Sequence, residues 1–149
     1  MPGRERSTLH PELAALLNLW RERYGAGPLP VESPLIEAEL ARWQPHLALI
    51  EREADGRFRV HRFGPELIRR FGRESTNEYI DRLAPDICSS LTDLLTRCLS
   101  TGQPMIGEAR VPFGKLMARF LELALPMDRN GIVFASHEVC CNLHVNATK

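Results

Sequence analysis

Leu9, Leu13, Leu16, Leu17 and Trp20 recur at the three- and four-residue spacing that lays an apolar stripe along one side of a helix. Thr8 is placed to cap that helix, Pro11 is tolerated in its first turn, and Gly25, Gly27 and Pro28 stop it. Ser33-Pro34 reads as the start of a second, shorter helix that runs through Ile36 and Leu40 and ends before Pro45. From His46 the period falls to two. Leu47 and Leu49 alternate with Ala48 and Ile50, and after Asp55-Gly56 the run from Arg57 to Phe63 alternates again, which predicts a hairpin closed by a two-residue type I′ turn.

Pro65 then opens a short helix with Leu67, Ile68 and Phe71 inward and Gly72 as its left-handed stop, and a further turn carries Tyr79, Ile80 and Leu83. Asp86 to Ser100 predicts a longer helix, capped by Asp86, with Ile87, Leu91, Leu94, Leu95, Cys98 and Leu99 on one side. Three strands are expected after it, over 105–112, 115–125 and 133–145, the last two joined by a hairpin signalled by Asn130-Gly131. The order α, α, β, β, α, α, α, β, β, β predicts an α+β fold: one five-stranded antiparallel sheet with helices on one face and an added amphipathic helix at the N-terminus. Residues 1–8 read as a polar arm, 9–45 as a helical extension and 46–149 as the sheet domain.

Composition narrows the class. The chain has 149 residues, 44% hydrophobic and 26% charged, with 19 basic residues against 19 acidic, which suits one globular domain. No apolar run reaches the roughly 18 residues that span a bilayer, and the charged start is unlike a signal peptide. The four cysteines show no CxxC spacing, so free thiols, a reducing compartment and a cytoplasmic location are expected. Six arginines between Arg57 and Arg73 face only Glu66 in sequence, yet the neutral whole argues against a nucleic-acid partner and for a solvated face or an acidic protein partner.

The element order from His46 to Val145, the passage Arg62-Phe63-Gly64-Pro65-Glu66-Leu67-Ile68-Arg69-Arg70-Phe71-Gly72-Arg73 and the Asn130-Gly131 hairpin together resemble a PAS domain over about two-thirds of the chain. More narrowly, the helix carrying Trp20, the Leu29-Pro30 stretch and the Arg62-Phe63-Gly64 junction are similar to the small stand-alone PAS-like family of alphaproteobacteria, which has no assigned activity. Around Pro30 this chain departs from that family, with Val31-Glu32-Ser33 where a polar and a basic residue are usual. The resemblance implies a sensory or dimerisation module in signalling that holds a small molecule between sheet and helices and does not catalyse.

Candidate chemistry is sparse. His137 interrupts the row Val133, Ala135, Val139, Cys141 and Leu143, and reads either as a ligand contact or as a hydrogen-bonded core histidine. On the neighbouring strand Arg119 and Glu122 fall in opposite rows, so whichever row faces inward buries a charge. Arg62 shares the period-two row of Phe58 and Val60, where a guanidinium can hold a carboxylate or tie the strand end to the next helix. With Tyr79, these give the tentative ligand-binding set Arg62, Tyr79, Arg119 and His137, suited to a small organic acid if they converge.

His137, Cys140, Cys141 and His144 have metal-like spacings, but strand alternation splits them between two faces, so no zinc site is expected. No haem or flavin signature is present and the cofactor is unknown. No nucleophile–base arrangement such as GxSxG is found, so an enzyme is not expected. The stripe Leu9, Leu13, Leu16, Leu17 and Trp20 either pairs two copies into a homodimer or covers the sheet of its own chain. Two alternatives stand beside the sensor: a non-sensing protein-interaction scaffold with a filled core, and a small α+β enzyme using His137.

Overall fold

The computed structural model describes residues 9–25, 38–113 and 115–139. Helix α1 spans Pro11–Tyr24 and a 3₁₀ turn spans Ala41–His46; strands β1 (Leu47–Arg52) and β2 (Phe58–Phe63) follow. Next come α2 (Pro65–Phe71), a second 3₁₀ turn (Ile80–Arg82), α3 (Pro85–Thr101), then β3 (Met105–Phe113), β4 (Leu116–Pro126) and β5 (Gly131–Val139). The strands form the expected single sheet, in the order β2-β1-β5-β4-β3, with every neighbouring pair antiparallel. The helix expected from Ser33 lies mostly outside the described residues, as do Thr8, Cys140, Cys141, His144 and the continuation of β5 to Val145.

Both faces of the sheet are covered. On the inner face α2, α3 and the second 3₁₀ turn pack Leu67, Ile80, Leu83, Leu91, Leu94, Leu95 and Cys98 against Ala48, Ile50, Phe58, Val60, Ala124, Ile132 and Phe134. On the outer face α1 packs Leu13, Leu16, Leu17, Trp20 and Tyr24, with Leu40 and Trp43, against Leu47, Leu121, Leu123, Leu125, Val133 and Ala135. The α1 stripe is therefore occupied within its own chain: Leu13 and Leu16 are fully buried, Leu17 and Trp20 nearly so, and Leu9 packs at the margin. Of the two expectations for this helix, the structure takes the second, and the stripe is not a surface open to another copy. Each of these side chains contributes about 1.5–3 kcal/mol relative to exposure. Two indole hydrogen bonds fix the helix in place, Trp20 Nε1 donating to the Pro126 carbonyl at 2.8 Å and Trp43 Nε1 to the Glu12 carbonyl at 2.9 Å.

Three local expectations are corrected. The β1–β2 connection has positive φ at Gly56 but not at Asp55, so it is no type I′ turn; Gly56 N–H donates to Glu53 O, and Arg57 N–H to the Asp55 carboxylate. In the β4–β5 hairpin the turn is organised by Asp128, whose Oδ1 accepts from the backbone N–H groups of Asn130 and Gly131. The caps also differ: α1 is capped by His10, whose Nδ1 accepts from Glu12 N–H at 3.0 Å, and the N-cap of α3 is Ala84.

Candidate functional site

The strand β2 carries the correction that matters most to the site. Its register against β1 slips between Leu49 and Ile50, so that Ile50 faces Val60 while Leu49 faces Arg62. The bulge at His61 interrupts the alternation. Arg62 therefore leaves the inward row of Phe58 and Val60 and stands exposed. Arg119 lies on β4, separated from β2 by β1 and β5, and is paired with Glu108 at 2.7 Å. Three strand spacings of about 4.8 Å separate the two arginines' strands, too far for both to hold one carboxylate.

Tyr79 sits outside the β2 edge. It bridges Arg59, its ring lies under the guanidinium carbons of Arg57 and Arg59 at 3.7 and 4.7 Å, and its hydroxyl donates to Glu53 at 2.6 Å. That bond to the carboxylate, with burial, holds the Tyr79 hydroxyl pKa above its ordinary value, and Tyr79 and Arg59 together hold the Glu53 carboxyl below its own. The convergence expected of Arg62, Tyr79, Arg119 and His137 does not occur; of the four, His137 alone lines the main cleft.

That cleft, of about 390 Å³, opens where β1 has ended and β5 continues past Ala135. Its walls are His46 from the first 3₁₀ turn, Glu66, Leu67, Arg69 and Arg70 from α2, Phe120 from β4, and Ser136, His137 and Glu138 from β5. Gly64 sets the distance between two of these walls. A Cβ there would lie 2.2 Å from the Gln44 carbonyl oxygen and 2.5 Å from that of Pro45, so α2 and the 3₁₀ turn approach each other only because the residue is glycine.

Arg70 forms the floor. It lies one helical step from Leu67 on the inward side of α2, and its side chain is 6% exposed. One guanidinium nitrogen donates to Ser136 Oγ at 2.6 Å and another to Glu122 Oε2 at 2.6 Å, Ser136 and Glu122 being cross-strand neighbours on the inner face. The guanidinium carbon lies 4.4 Å from the Phe71 ring centroid and 4.6 Å from that of Phe120. Its Nε is buried without a partner. Burial pushes the Arg70 pKa down, against the opposing charge and hydrogen bond of Glu122.

Space for Glu122 comes from Gly107, its neighbour on β3, where a Cβ would stand 3.3 Å from Glu122 Oε1. A second cleft of about 290 Å³ lies on the other side of Arg70, walled by Phe71, Ile87, Ser90, Leu91, Ala109, Val111 and Glu122 among others. One buried arginine thus divides the space between α2, α3 and the sheet.

His137 points to the outer face at the same end of the sheet. Its ring is the shared member of two stacked pairs, with His10 at 4.2 Å and 23° and with His46 at 3.8 Å and 20° between planes. Burial first, then the neighbouring His46 and His10, push the His137 pKa down to about 4. Metal ligation requires lone pairs that converge on one point, whereas near-parallel rings direct theirs side by side. Among the described residues no group of three or more histidine, cysteine or acidic side chains is arranged to hold a metal ion.

Arg70, His10 and His46 are site residues that the sequence reading did not single out. Arg70 had a signal, three residues after Leu67 on the apolar side of a short helix; His10 and His46, from two separate elements, had none.

No family model matches the chain, and no curated protein is significantly similar to it. Solved structures are similar. The PAS domain of Bordetella pertussis BvgS superposes with a TM-score of 0.54 at 12% identity, over 75% of this chain and 91% of that one. An RNA-binding light-oxygen-voltage receptor gives a TM-score of 0.45 at 15% identity over 69% of this chain and 29% of its own. Among the described residues no helix is long and apolar enough to cross a membrane. With its sheet order β2-β1-β5-β4-β3, α2 and α3 on one face and α1 on the other, the chain has a PAS-like α+β fold.

Proposed function

We propose that the chain is a non-catalytic sensory module in signalling that binds a small organic acid in the cleft beside Arg70. The observation that supports this reading is the pair of guanidiniums at one cleft, Arg69 exposed at the rim and Arg70 buried on the floor with an unpartnered Nε, next to the apolar Leu67 and Phe120. A carboxylate is the group that a guanidinium pair selects, and the apolar walls suit a short hydrocarbon body. A ligand held there touches His46 and His137, and through them the start of α1.

Native mass spectrometry of freshly purified protein, with an absorbance scan, tests the reading. A mass exceeding the chain by a small-molecule increment, or a rise in melting temperature with carboxylic acids that Arg69→Ala reduces, is expected. Bare masses and no thermal shift would overturn it in favour of a filled interaction scaffold, a second reading supported by the Phe71 and Phe120 rings already packed on Arg70. Pairing of two copies belongs to the same proposal but to another surface, the edge strand β3, where Ile106 stands 56% exposed. Light scattering at twice the chain mass, lost in Ile106→Asp, supports pairing there, and a monomer at high concentration refutes it.

A further inference from the structure

The three stacked histidines bring three separate elements together at one end of the sheet. His10 is the N-cap of α1, His46 ends the 3₁₀ turn, and His137 lies on β5 one residue past Ser136, which meets Arg70. His10 serves two purposes at once, since its Nδ1 accepts the Glu12 N–H while its ring stacks on His137. The N-cap bond thus ties the ring that stacks on His137 to the first turn of α1. Imidazoles at these spacings stack without penalty only while uncharged, because one proton desolvates poorly between rings and two repel.

The charged groups around the stack do not change that sense. Glu12, on α1, is committed to Arg42 of the 3₁₀ turn at 3.0 Å; Glu66, on α2, is committed to Arg69 at 2.9 Å. Both carboxylates favour a proton on His137, but burial and the two neighbouring imidazoles oppose it more strongly. On β5 itself Glu138 alternates to the inner face, and Arg70, across the cleft, is paired with Glu122.

We propose that the His10–His137–His46 stack is a proton-operated latch: neutral, it pins the start of α1 to the end of the sheet beside the cleft, and protonated, it lets α1 leave the outer face. What is released is specific. Trp20 bonds the far end of α1 to the Pro126 carbonyl, whereas the turn that carries His10 is held besides only by Trp43 and Arg42 on Glu12, so opening separates that turn from the 3₁₀ turn and uncovers the β5 end of the outer core first. The latch does not require a ligand in the cleft, although His46 and His137 also line it.

The sign follows from linkage. A histidine whose folded pKa is about 4, against an ordinary value near 6.5, is neutral when latched and takes a proton when open, so the latch is intact above about pH 6.5 and weakens as pH falls toward 4. At pH 5 that difference alone favours the open form about thirtyfold, and screening at this half-buried site reduces it to about tenfold.

Amide hydrogen exchange of the full chain at pH 7.5 and pH 5.0, corrected for the intrinsic pH dependence of exchange, reads this directly. Protection of residues 11–24 should fall about tenfold at pH 5.0 while that of α3 holds, and His137→Phe, which keeps a ring without a titratable nitrogen, should flatten the change. His137→Gln serves the same purpose if the larger ring does not fold, with near-ultraviolet circular dichroism as the check on packing. Unchanged protection of 11–24, an equal fall in α1 and α3, or the same pH dependence in a folded His137 variant would each overturn the latch.

Discussion

Replacing Arg70 by methionine removes the cation from a pair that the fold has closed off on both sides. The two side chains are 6% and 8% exposed and meet at 2.6 Å, so the carboxylate of Glu122 is left with its charge and without a partner. Breaking a buried pair in this way costs about 3–5 kcal/mol. Glu122→Met should be at least as harsh, because arginine cannot discharge by losing a proton and would keep Ser136 as its remaining polar partner. For a chain of this length the loss corresponds to a fall of about 6–20 °C in melting temperature, or about 2 M in urea midpoint.

The double variant Arg70→Met, Glu122→Met separates the cost of an orphaned charge from the value of the pair itself. Two flexible apolar side chains between Phe71 and Phe120 restore packing, so its stability should return to within about 1 kcal/mol of the original. Urea unfolding of all four proteins gives the coupling energy. Single variants costing under about 1 kcal/mol, or a double variant as unstable as the two losses added, would refute the reasoning: the first by showing that the cleft water solvates the charge, the second by showing that the pair has no internal compensation.

Other perturbations have distinct signatures. Trp20→Phe keeps the ring volume in the outer core but leaves the buried Pro126 carbonyl without its donor, and should cost about 1–3 kcal/mol by urea unfolding. Gly64→Ala inserts a methyl between two backbone carbonyls and should lower stability by about 3 kcal/mol, with chemical-shift changes at His46 and at α2 where the two walls are forced apart. The Cys98 thiol, buried and pushed up to about 12, should resist alkylation at pH 8 in the native protein and react once urea unfolds it, as followed by peptide mass mapping.

Much of the architecture was legible because its signals are local. Leu91, Leu94, Leu95 and Cys98 repeat at helical spacing and are the residues that α3 buries; Leu47 to Ile50 alternate and form β1. What failed was non-local. Alternation continued through His61 puts Arg62 in the inward row, and only pairing with β1 reveals the bulge there.

Strand β4 defeats alternation altogether, since α1 covers one face and α3 the other, so Leu121 through Leu125 read as a continuous run in which neither row is solvent-facing. The candidate site was illegible for a related reason. His10, His46 and His137 are 36 and 91 residues apart, and nothing in one segment signals the others. Arg70 is one of six arginines in a run and shares their local signal, although its position after Leu67 puts it on the buried side.

The double-sided burial of β4 has a consequence for how the chain finds one native arrangement. With Leu121, Leu123 and Leu125 in the outer row and Ala118, Phe120 and Ala124 in the inner, both rows are apolar, so sliding β4 by one residue would still bury apolar side chains on each face and hydrophobic pattern alone discriminates weakly between the two arrangements. Glu122 sharpens the discrimination. In the native arrangement it meets Arg70; one residue over, it would face the apolar outer core beneath α1. The buried ion pair, worth little as net stability, thereby acts as a spelling check on strand assembly, and the methionine double variant that recovers stability should be the one that loses a single, sharp set of β4 resonances.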